Sequence, residues 1–411
     1  MKRPICFLVT DLGIGGVQRV ITILARHLST AGQRVQIWTC AAEGALEKLL
    51  PEGVEVIRLR KSNYVSARLP YLALRKRGLE QLFTYFFSRR KSASPTLAYL
   101  PGVIEAIREQ KPATVFTGDF FLGIEVALAD RITGGDQRIV QSVRTFVSAG
   151  KEKKTDRLRL WKGLKHFSYM RAAEVTSVSL AAADDISASF DVPRERIRVI
   201  HNPTITPDFA ERRSAPIDDP WLPSRDTPTL IAVGRPAPQK DYQTLLEALA
   251  IARRTRPLRL CIVGGTGDPR RDKRRIGRLQ KRAEGLGVGS DVRFLGALSN
   301  PLPYIASADL LVLSSLWEGL PNVLLEALAC ETPIVSTDCP SGPFEILEGG
   351  TYGALVPIAD PEALAKAILE MLDSPSDPAL LRKRAADYDY QDSIDQYLEV
   401  LLGRPRDGFV A

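Results

Sequence analysis

Short unbroken apolar runs alternate with stretches in which apolar residues recur every three or four positions, and this alternation extends through most of the 411 residues. Continuous runs of four to seven suit strands buried on both faces, and the three-to-four spacing suits amphipathic helices. Strands are therefore expected at 4–10, 35–39, 54–59, 114–117, 138–143, 175–179 and 196–200. A first helix, with Val17, Val20, Ile21, Leu24 and Leu28 on one face, should end at Gly32. The rhythm breaks over 203–228, where six prolines fall without a sustained apolar period, as in a linker. It restarts with strands expected at 230–234, 258–264, 292–296, 310–314, 333–337 and 354–357, and the tail 378–402 reads as helical. The fold class is α/β, with two doubly wound, Rossmann-like domains. Residues 1–202 would form the first domain, 203–228 the linker and 229–388 the second. Residues 389–411 would be a helical tail that could pack back on the first domain. Such a pair of domains is expected to hold a ligand in a cleft between the carboxyl ends of its two sheets.

Composition narrows this picture mainly by exclusion. With 45% hydrophobic and 25% charged residues, the chain is neither disordered nor collagen-like nor a disulfide mini-scaffold. Five cysteines form no CxxC pair, which suits core thiols in a reducing compartment. The first apolar stretch stops at Asp11, shorter than a secretory signal needs, and no window approaches the ~18 apolar residues of a membrane span. The expected location is the cytoplasm. The net charge of +8 points to an anionic partner: nucleic acid, a membrane surface or a phosphorylated small molecule.

Four segments carry candidate chemistry. Gly13-x-Gly15-Gly16 follows the first strand, where backbone N–H groups at a helix N-terminus could face an oxyanion, although a tight turn calls for glycine on its own account. Gly234-Arg235-Pro236-Ala237-Pro238-Gln239-Lys240 leaves the first strand of the second domain. Its two cations could clamp a diphosphate, or could simply be solvated. The segment from Glu318 to Glu326 opens a helix, with Pro321 suited to the first helical position and Glu326 about a turn and a half inside. Such a helix start can hold phosphate while carboxylates accept hydrogen bonds from sugar hydroxyls; Glu318 could instead be a first-turn acid set against the helix dipole. Glycines 264 and 265 form a turn after the next strand.

Together these segments resemble glycosyltransferase family 4, the retaining transferases of GT-B fold. The similarity reaches from GIGGVQRV through GRPAPQK and the E-x7-E pair to CPSGPFEILEGGTYGALVPIADPEALAKAI. The tract beginning at Cys339 is similar to bacterial enzymes that build surface or lipid-linked oligosaccharides. The resemblance implies that Arg235 and Lys240 clamp the donor diphosphate, that Glu318 contacts the transferred sugar and that Glu326 contacts the ribose. It also implies backbone N–H donors at Gly15, Gly16, Gly319, Leu320 and Asn322, donor-binding positions at Gly264, Gly265 and Pro321, and no metal or other cofactor. The Asp387-Tyr388-Asp389 string lies in the helical tail, where a metal-binding DxD is not expected. One departure stands out. Where many members place a histidine after the strand 138–143, this chain has Arg144, and its three histidines lie at 27, 166 and 201. Arg144 could supply a positive partner but not a general base. Asp119 is a lower-ranked candidate for acceptor activation, with capping of the following helix as its plainer role.

The positive charge is local. Residues 58–91 hold ten Lys or Arg against one acid, and 151–171 hold eight against two, leaving the remainder at −7. Both stretches are interleaved with aromatic residues, a pattern suited to an anionic membrane surface. No nucleic-acid motif accompanies them. A third basic run, residues 270–282, has acids nearby and reads as decoration of an exposed helix. The resulting expectation is a cytoplasmic transferase, peripheral on the inner membrane face. It would move a hexose or N-acetylhexosamine from a nucleotide-diphosphate sugar, UDP ahead of GDP, to a lipid-linked or lipopolysaccharide-type acceptor. A non-catalytic scaffold of the same fold and a nucleotide-sugar epimerase are the alternatives.

Overall fold

The computed structural model describes residues 2–13, 15–41, 43–44, 46–63, 96–148, 155–223, 226–265 and 268–404, without the side chains of 155–161. Most of the basic stretch 58–91 and the start of 151–171 lie outside the described residues, as does Thr266-Gly267.

The described chain divides into two units, each with its own parallel sheet. The first comprises residues 1–178, 182–200 and 394–411, and the second residues 179–181 and 201–393. In the first unit the seven strands are β1 (Ile5–Val9), β2 (Val35–Thr39), β3 (Glu55–Arg58), β4 (Thr114–Thr117), β5 (Arg138–Val143), β6 (Glu174–Ser177) and β7 (Ile197–Val199). They lie in the order β3-β2-β1-β4-β5-β6-β7, and all neighbours are parallel. Cover on both faces buries the central strands: every residue of β1, β2 and β4 is buried, including the polar Gln36, Thr39, Thr114 and Thr117.

The last helix, Tyr390–Leu402, joins this unit from Ile394 onward. Thr114 Oγ1 donates to the carbonyl of Leu401 at 2.8 Å, Arg138 Nε donates to that of Val400 at 3.0 Å, and Arg198 bridges to Glu399 at 2.7 Å. Tyr397, fully buried, meets the Phe116 ring edge-on. The tail is two helices rather than one, Pro378–Ala386 and Tyr390–Leu402, and Asp387-Tyr388-Asp389 occupies the turn between them. Both carboxylates are engaged there, Asp387 by Arg384 and Asp389 by the Asp392 N–H.

The second unit has β8 (Thr229–Val233), β9 (Arg259–Val263), β10 (Val292–Gly296), β11 (Leu310–Leu313), β12 (Ile334–Thr337) and β13 (Ala354–Val356). Their order is β10-β9-β8-β11-β12-β13, again wholly parallel. The proline-rich segment 203–228 belongs to this unit rather than standing apart as a linker. Its short helix Phe209–Arg213 buries Phe209, Asn300 Nδ2 donates to the Arg212 carbonyl, and Arg293 Nη1 reaches both carboxylate oxygens of Asp219. Proline density signalled irregular backbone, and irregular backbone can still be docked by such side-chain contacts.

Strand order reverses between β1 and β4 in one unit and between β8 and β11 in the other. Chains leaving the carboxyl ends of such neighbouring strands diverge to opposite faces of the sheet and open a crevice, the usual ligand site of a doubly wound sheet.

Candidate functional site

At the β8/β11 switch point the second unit joins two loops that are far apart in sequence. Gly264, with φ of +145°, brings its backbone against Gly234, and a Cβ there would fall 2.1 Å from the Gly234 carbonyl oxygen. Only glycine accommodates both the conformation and the approach. Gly234 in turn leaves room for the Lys240 stem, since a Cβ at 234 would lie 2.6 Å from Lys240 Cε. A short 3-10 turn, Pro238–Lys240, and a left-handed Asp241 carry the chain into the helix Tyr242–Ala252.

The loop is stitched to the segment following β11. The Leu316 N–H donates to the Gln239 carbonyl at 2.8 Å, and Ser314 Oγ to that of Lys240 at 2.7 Å. Lys240 Nζ then meets Glu318 Oε1 at 2.7 Å, the same oxygen accepts from Ser315 Oγ at 2.7 Å, and Gln239 Nε2 donates to Oε2 at 3.3 Å. The Lys240 and Glu318 side chains are only 16% and 9% exposed. Glu318 is therefore a buried partner of Lys240 on the loop, not a first-turn helix acid. Arg235, on the same loop, is exposed.

The helix after this loop runs Asn322–Cys330, so Pro321 is its N-cap rather than its first helical residue, and Glu326 stands about one turn inside. Glu326 is buried and is not left without a partner. The Gly319 carbonyl, at the start of the turn, accepts from the Gly342 N–H at 3.0 Å, Ser341 Oγ at 2.6 Å and Ser179 Oγ at 3.2 Å. Ser341 has φ of +93° and ψ of −137°, a region rarely occupied by anything but glycine. Its hydroxyl bonds hold that conformation and clamp the turn 319–322. A Cβ on Gly342 would sit 2.6 Å from Pro321 Cδ, so this neighbour must also be glycine. Asn202 Nδ2 donates to Asn322 Oδ1 at 2.7 Å. Gly265 stands close to Asp272 and Ala297.

In the first unit, three loops meet at the β1/β4 switch point. A Cβ on Gly118 would lie 3.1 Å from Val17 and 3.2 Å from Arg144. Arg144 donates to Tyr397 Oη at 3.0 Å and stands over the Phe116 and Tyr397 rings, which fixes its guanidinium. Asp119 Oδ1 accepts from the Phe121 and Leu122 N–H groups at 2.8 and 3.0 Å, a capping arrangement before the helix Leu122–Thr133. Beneath it lies Lys165, fully buried, whose Nζ donates to the Phe120 carbonyl at 2.9 Å between the Phe120 and Tyr169 rings. Burial pushes its pKa down to about 7 despite the opposing charge of Asp119. Gly15 and Gly16 begin the helix Gly16–Thr30, and the backbone of Gly15 is extended, a conformation open to any residue. The adjacent carboxylate of Asp11 is taken up by the Gly13 N–H and Gln18.

The family model described as Glycosyltransferase Family 4 matches residues 14–206, and that described as Glycosyl transferases group 1 matches residues 227–374. The chain belongs to glycosyltransferase family 4. It is 34% identical over 221 residues to the lipopolysaccharide core biosynthesis glycosyltransferase LpsE of Rhizobium meliloti, a match covering 52% of this chain and 59% of that protein. It is 25% identical over 248 residues to the N-acetylgalactosamine-N,N'-diacetylbacillosaminyl-diphospho-undecaprenol 4-alpha-N-acetylgalactosaminyltransferase of Campylobacter jejuni, covering 60% of this chain and 64% of that one. The chain thus spans less than two thirds of either relative's length. Among solved structures, Anabaena Alr3699/HepE in complex with UDP-glucose has a TM-score of 0.74 at 19% identity, covering 97% of this chain and 99% of that one, a likeness of fold.

Within this family-4 chain, the sequence pattern pointed to Lys240 and Glu318 as candidates but not to their contact, nor to the parts that Gln239, Ser315 and Ser341 play beside it. Gln239 lies inside the GRPAPQK segment, a polar residue next to Lys240. No local signal marked Ser315 or the positive φ of Ser341. Among the described residues, no three His, Cys, Asp or Glu side chains gather as a metal site would require. All five cysteines are free, and burial pushes the thiols of Cys40, Cys261, Cys330 and Cys339 up to about 12, which favours the protonated thiol over the thiolate at neutral pH.

Proposed function

We propose that the protein is a retaining glycosyltransferase that moves a hexose or N-acetylhexosamine from a UDP-sugar to a lipid-linked oligosaccharide or lipopolysaccharide-type acceptor. The observation that carries this reading is the buried contact of Lys240 with Glu318 at the β8/β11 switch point, beside the start of the helix Asn322–Cys330. An ammonium has three N–H donors, and one is used by Glu318, so Lys240 can hold a donor phosphate without giving up its carboxylate partner. Exposed Arg235 adds a planar fork suited to a diphosphate, and the N–H groups at the helix start add partial positive charge.

In this scheme the bond from the sugar C1 to the diphosphate oxygen breaks as the acceptor oxygen bonds to C1 on the same face. The acceptor hydroxyl's proton passes to the departing phosphate oxygen. Lys240, Arg235 and the backbone of Gly319 to Asn322 stabilise the negative charge that develops on the leaving group, the main rate-enhancing effect available to such a site. Glu318 would accept from a sugar hydroxyl and Glu326 from the ribose, while Gly264 and Gly265 would contribute close backbone approach. Arg144 is assigned as a fixed cation and Asp119 as a cap. These roles require no metal. The lipopolysaccharide-core and diphospho-undecaprenol activities in the names of the two relatives support the acceptor class. Among the described residues no helix is long and apolar enough to cross a membrane, and the proposed location is peripheral, on the inner face. Incubation with UDP- and GDP-sugars and a lipid-diphosphate-linked saccharide tests the reading: the expected product carries one added α-linked sugar from a UDP donor. Absence of both donor binding and transfer across the panel would falsify it.

A further inference from the structure

The helix Pro269–Gly285 in the second unit carries eight Lys or Arg against Asp272 and Glu284. At 100° per residue, Arg270, Arg271, Arg274, Arg278, Lys281 and Arg282 fall on one arc of about 120°, and neither acid lies within it. All six are exposed. Only Arg282 has an ion-pair partner, Glu247; the other five make no ion pair among the described residues. The opposite side carries Leu279, Ala283 and Leu286, which pack against the core of the unit. The cationic arc therefore faces solvent along a row of about 18 Å.

Apart from Arg282, which stands in the last turn where the dipole favours a cation, this charge does not serve the stability of the helix. Arg270, Arg274, Arg278 and Arg282 are successive i,i+4 neighbours of like charge, which weakens a helix. Arg270 and Arg271 stand in the first turn, where the macrodipole disfavours cations, and Asp268 offsets this by capping their N–H groups. A feature that opposes its own element calls for a binding partner. The helix contains no aromatic residue on which bases could stack, so a single-stranded nucleic acid is a poor fit. No large apolar side chain points outward from the arc, so the surface is built for electrostatic contact rather than insertion.

We propose that the basic arc of Pro269–Gly285 is a docking surface for the phosphate-rich face of an anionic bilayer. It stands on charge geometry independently of donor and acceptor chemistry. Each cation held near an anionic membrane contributes roughly fivefold to affinity, so neutralising four of them lowers binding by about 100-fold or more.

The test compares the full-length protein with R270Q/R274Q/R278Q/K281Q in co-sedimentation with phosphatidylcholine vesicles, with and without phosphatidylglycerol. Glutamine keeps helix propensity and relieves the like-charge rows, so the variant should fold. A charge-matched control, R254Q/K366Q/K383Q/R404Q, removes four exposed cations elsewhere. The expected result is wild-type binding to phosphatidylglycerol vesicles only, lost at high salt, lowered about 100-fold or more by the helix variant and little by the control. Equal loss in both variants, unchanged binding in the helix variant, or wild-type binding to RNA but not to vesicles would each overturn the proposal. Calorimetry with UDP on the same samples reads the donor site separately. Vesicle binding without UDP binding removes the transferase reading alone, and UDP binding without vesicle binding removes this one alone.

Discussion

Replacing Lys240 with methionine removes the ammonium while keeping most of the stem that fits beside Gly234. Breaking a fully buried ion pair by deleting one partner costs about 3–5 kcal/mol. Here the two side chains are 16% and 9% exposed, and Glu318 retains the Ser315 and Gln239 donors. The expected loss is therefore about 2 kcal/mol, read as a lower urea midpoint at unchanged slope. If Lys240 also holds the donor diphosphate, a charge-assisted hydrogen bond of ~1.5–3 kcal/mol disappears from binding, and UDP affinity falls by about 10- to 100-fold in calorimetry. The double variant K240M/E318Q separates the two effects. With no orphaned carboxylate it should recover at least ~1 kcal/mol of stability. Its UDP affinity should stay low. A folded K240M that binds UDP as tightly as wild type would refute the reasoning, because Lys240 would then serve only the fold. Affinity restored in the double variant would refute it as well, since the defect would have come from the unpaired glutamate.

Two further outcomes follow from the geometry. Gly264→Ala forces a Cβ to within 2.1 Å of the Gly234 oxygen at φ of +145°, and should cost at least ~2 kcal/mol in urea unfolding while weakening UDP binding through displacement of the 234–240 loop; a wild-type midpoint would contradict the close approach. Lys165 has a folded-state pKa of about 7 against an unfolded value near ~10.4, so between these limits the unfolded chain binds more protons and stability rises with pH. The penalty is present in full below the folded pKa and is relieved by a few kcal/mol, at about 1.4 per unit, as pH approaches the unfolded value. Lys165→Met should flatten that rise between pH ~7 and ~10, and an unchanged profile would show that another group causes it.

The parallel sheets were legible because both faces of their central strands are covered, which turns strands such as β1, β8, β9 and β11 into largely apolar runs. β2, β4, β5 and β10 coincide with their expected limits, and β1 differs by one residue at each end. Helix starts were less well defined. Pro321 tolerates both the cap and the first helical position, and the neighbouring residues do not choose between them. Gly264 could be picked out as a glycine near the site, but its reason, a positive φ pressed against Gly234, depends on the pairing of β8 with β9. The contact of Lys240 with Glu318 crosses 78 residues and exists because β8 lies beside β11. Local pattern carries no record of that order. The same holds for Ser315, which completes the carboxylate's shell, and for Ser341, whose strained backbone is held by a carbonyl 22 residues away. The segment 203–228 misled for a different reason: prolines report irregular backbone, whereas docking is decided by Phe209, Asp219 and Arg293.

The central claim is that the β8/β11 switch point of the second unit binds a nucleoside diphosphate through Lys240, Arg235 and the turn before Asn322. A crystal structure of the protein with UDP measures this most directly. The account predicts diphosphate oxygens within about 3 Å of Lys240 Nζ and of the N–H groups between Gly319 and Asn322, with the Arg235 guanidinium drawn onto the same group. UDP bound elsewhere, with Lys240 still engaged only by Glu318, would contradict it.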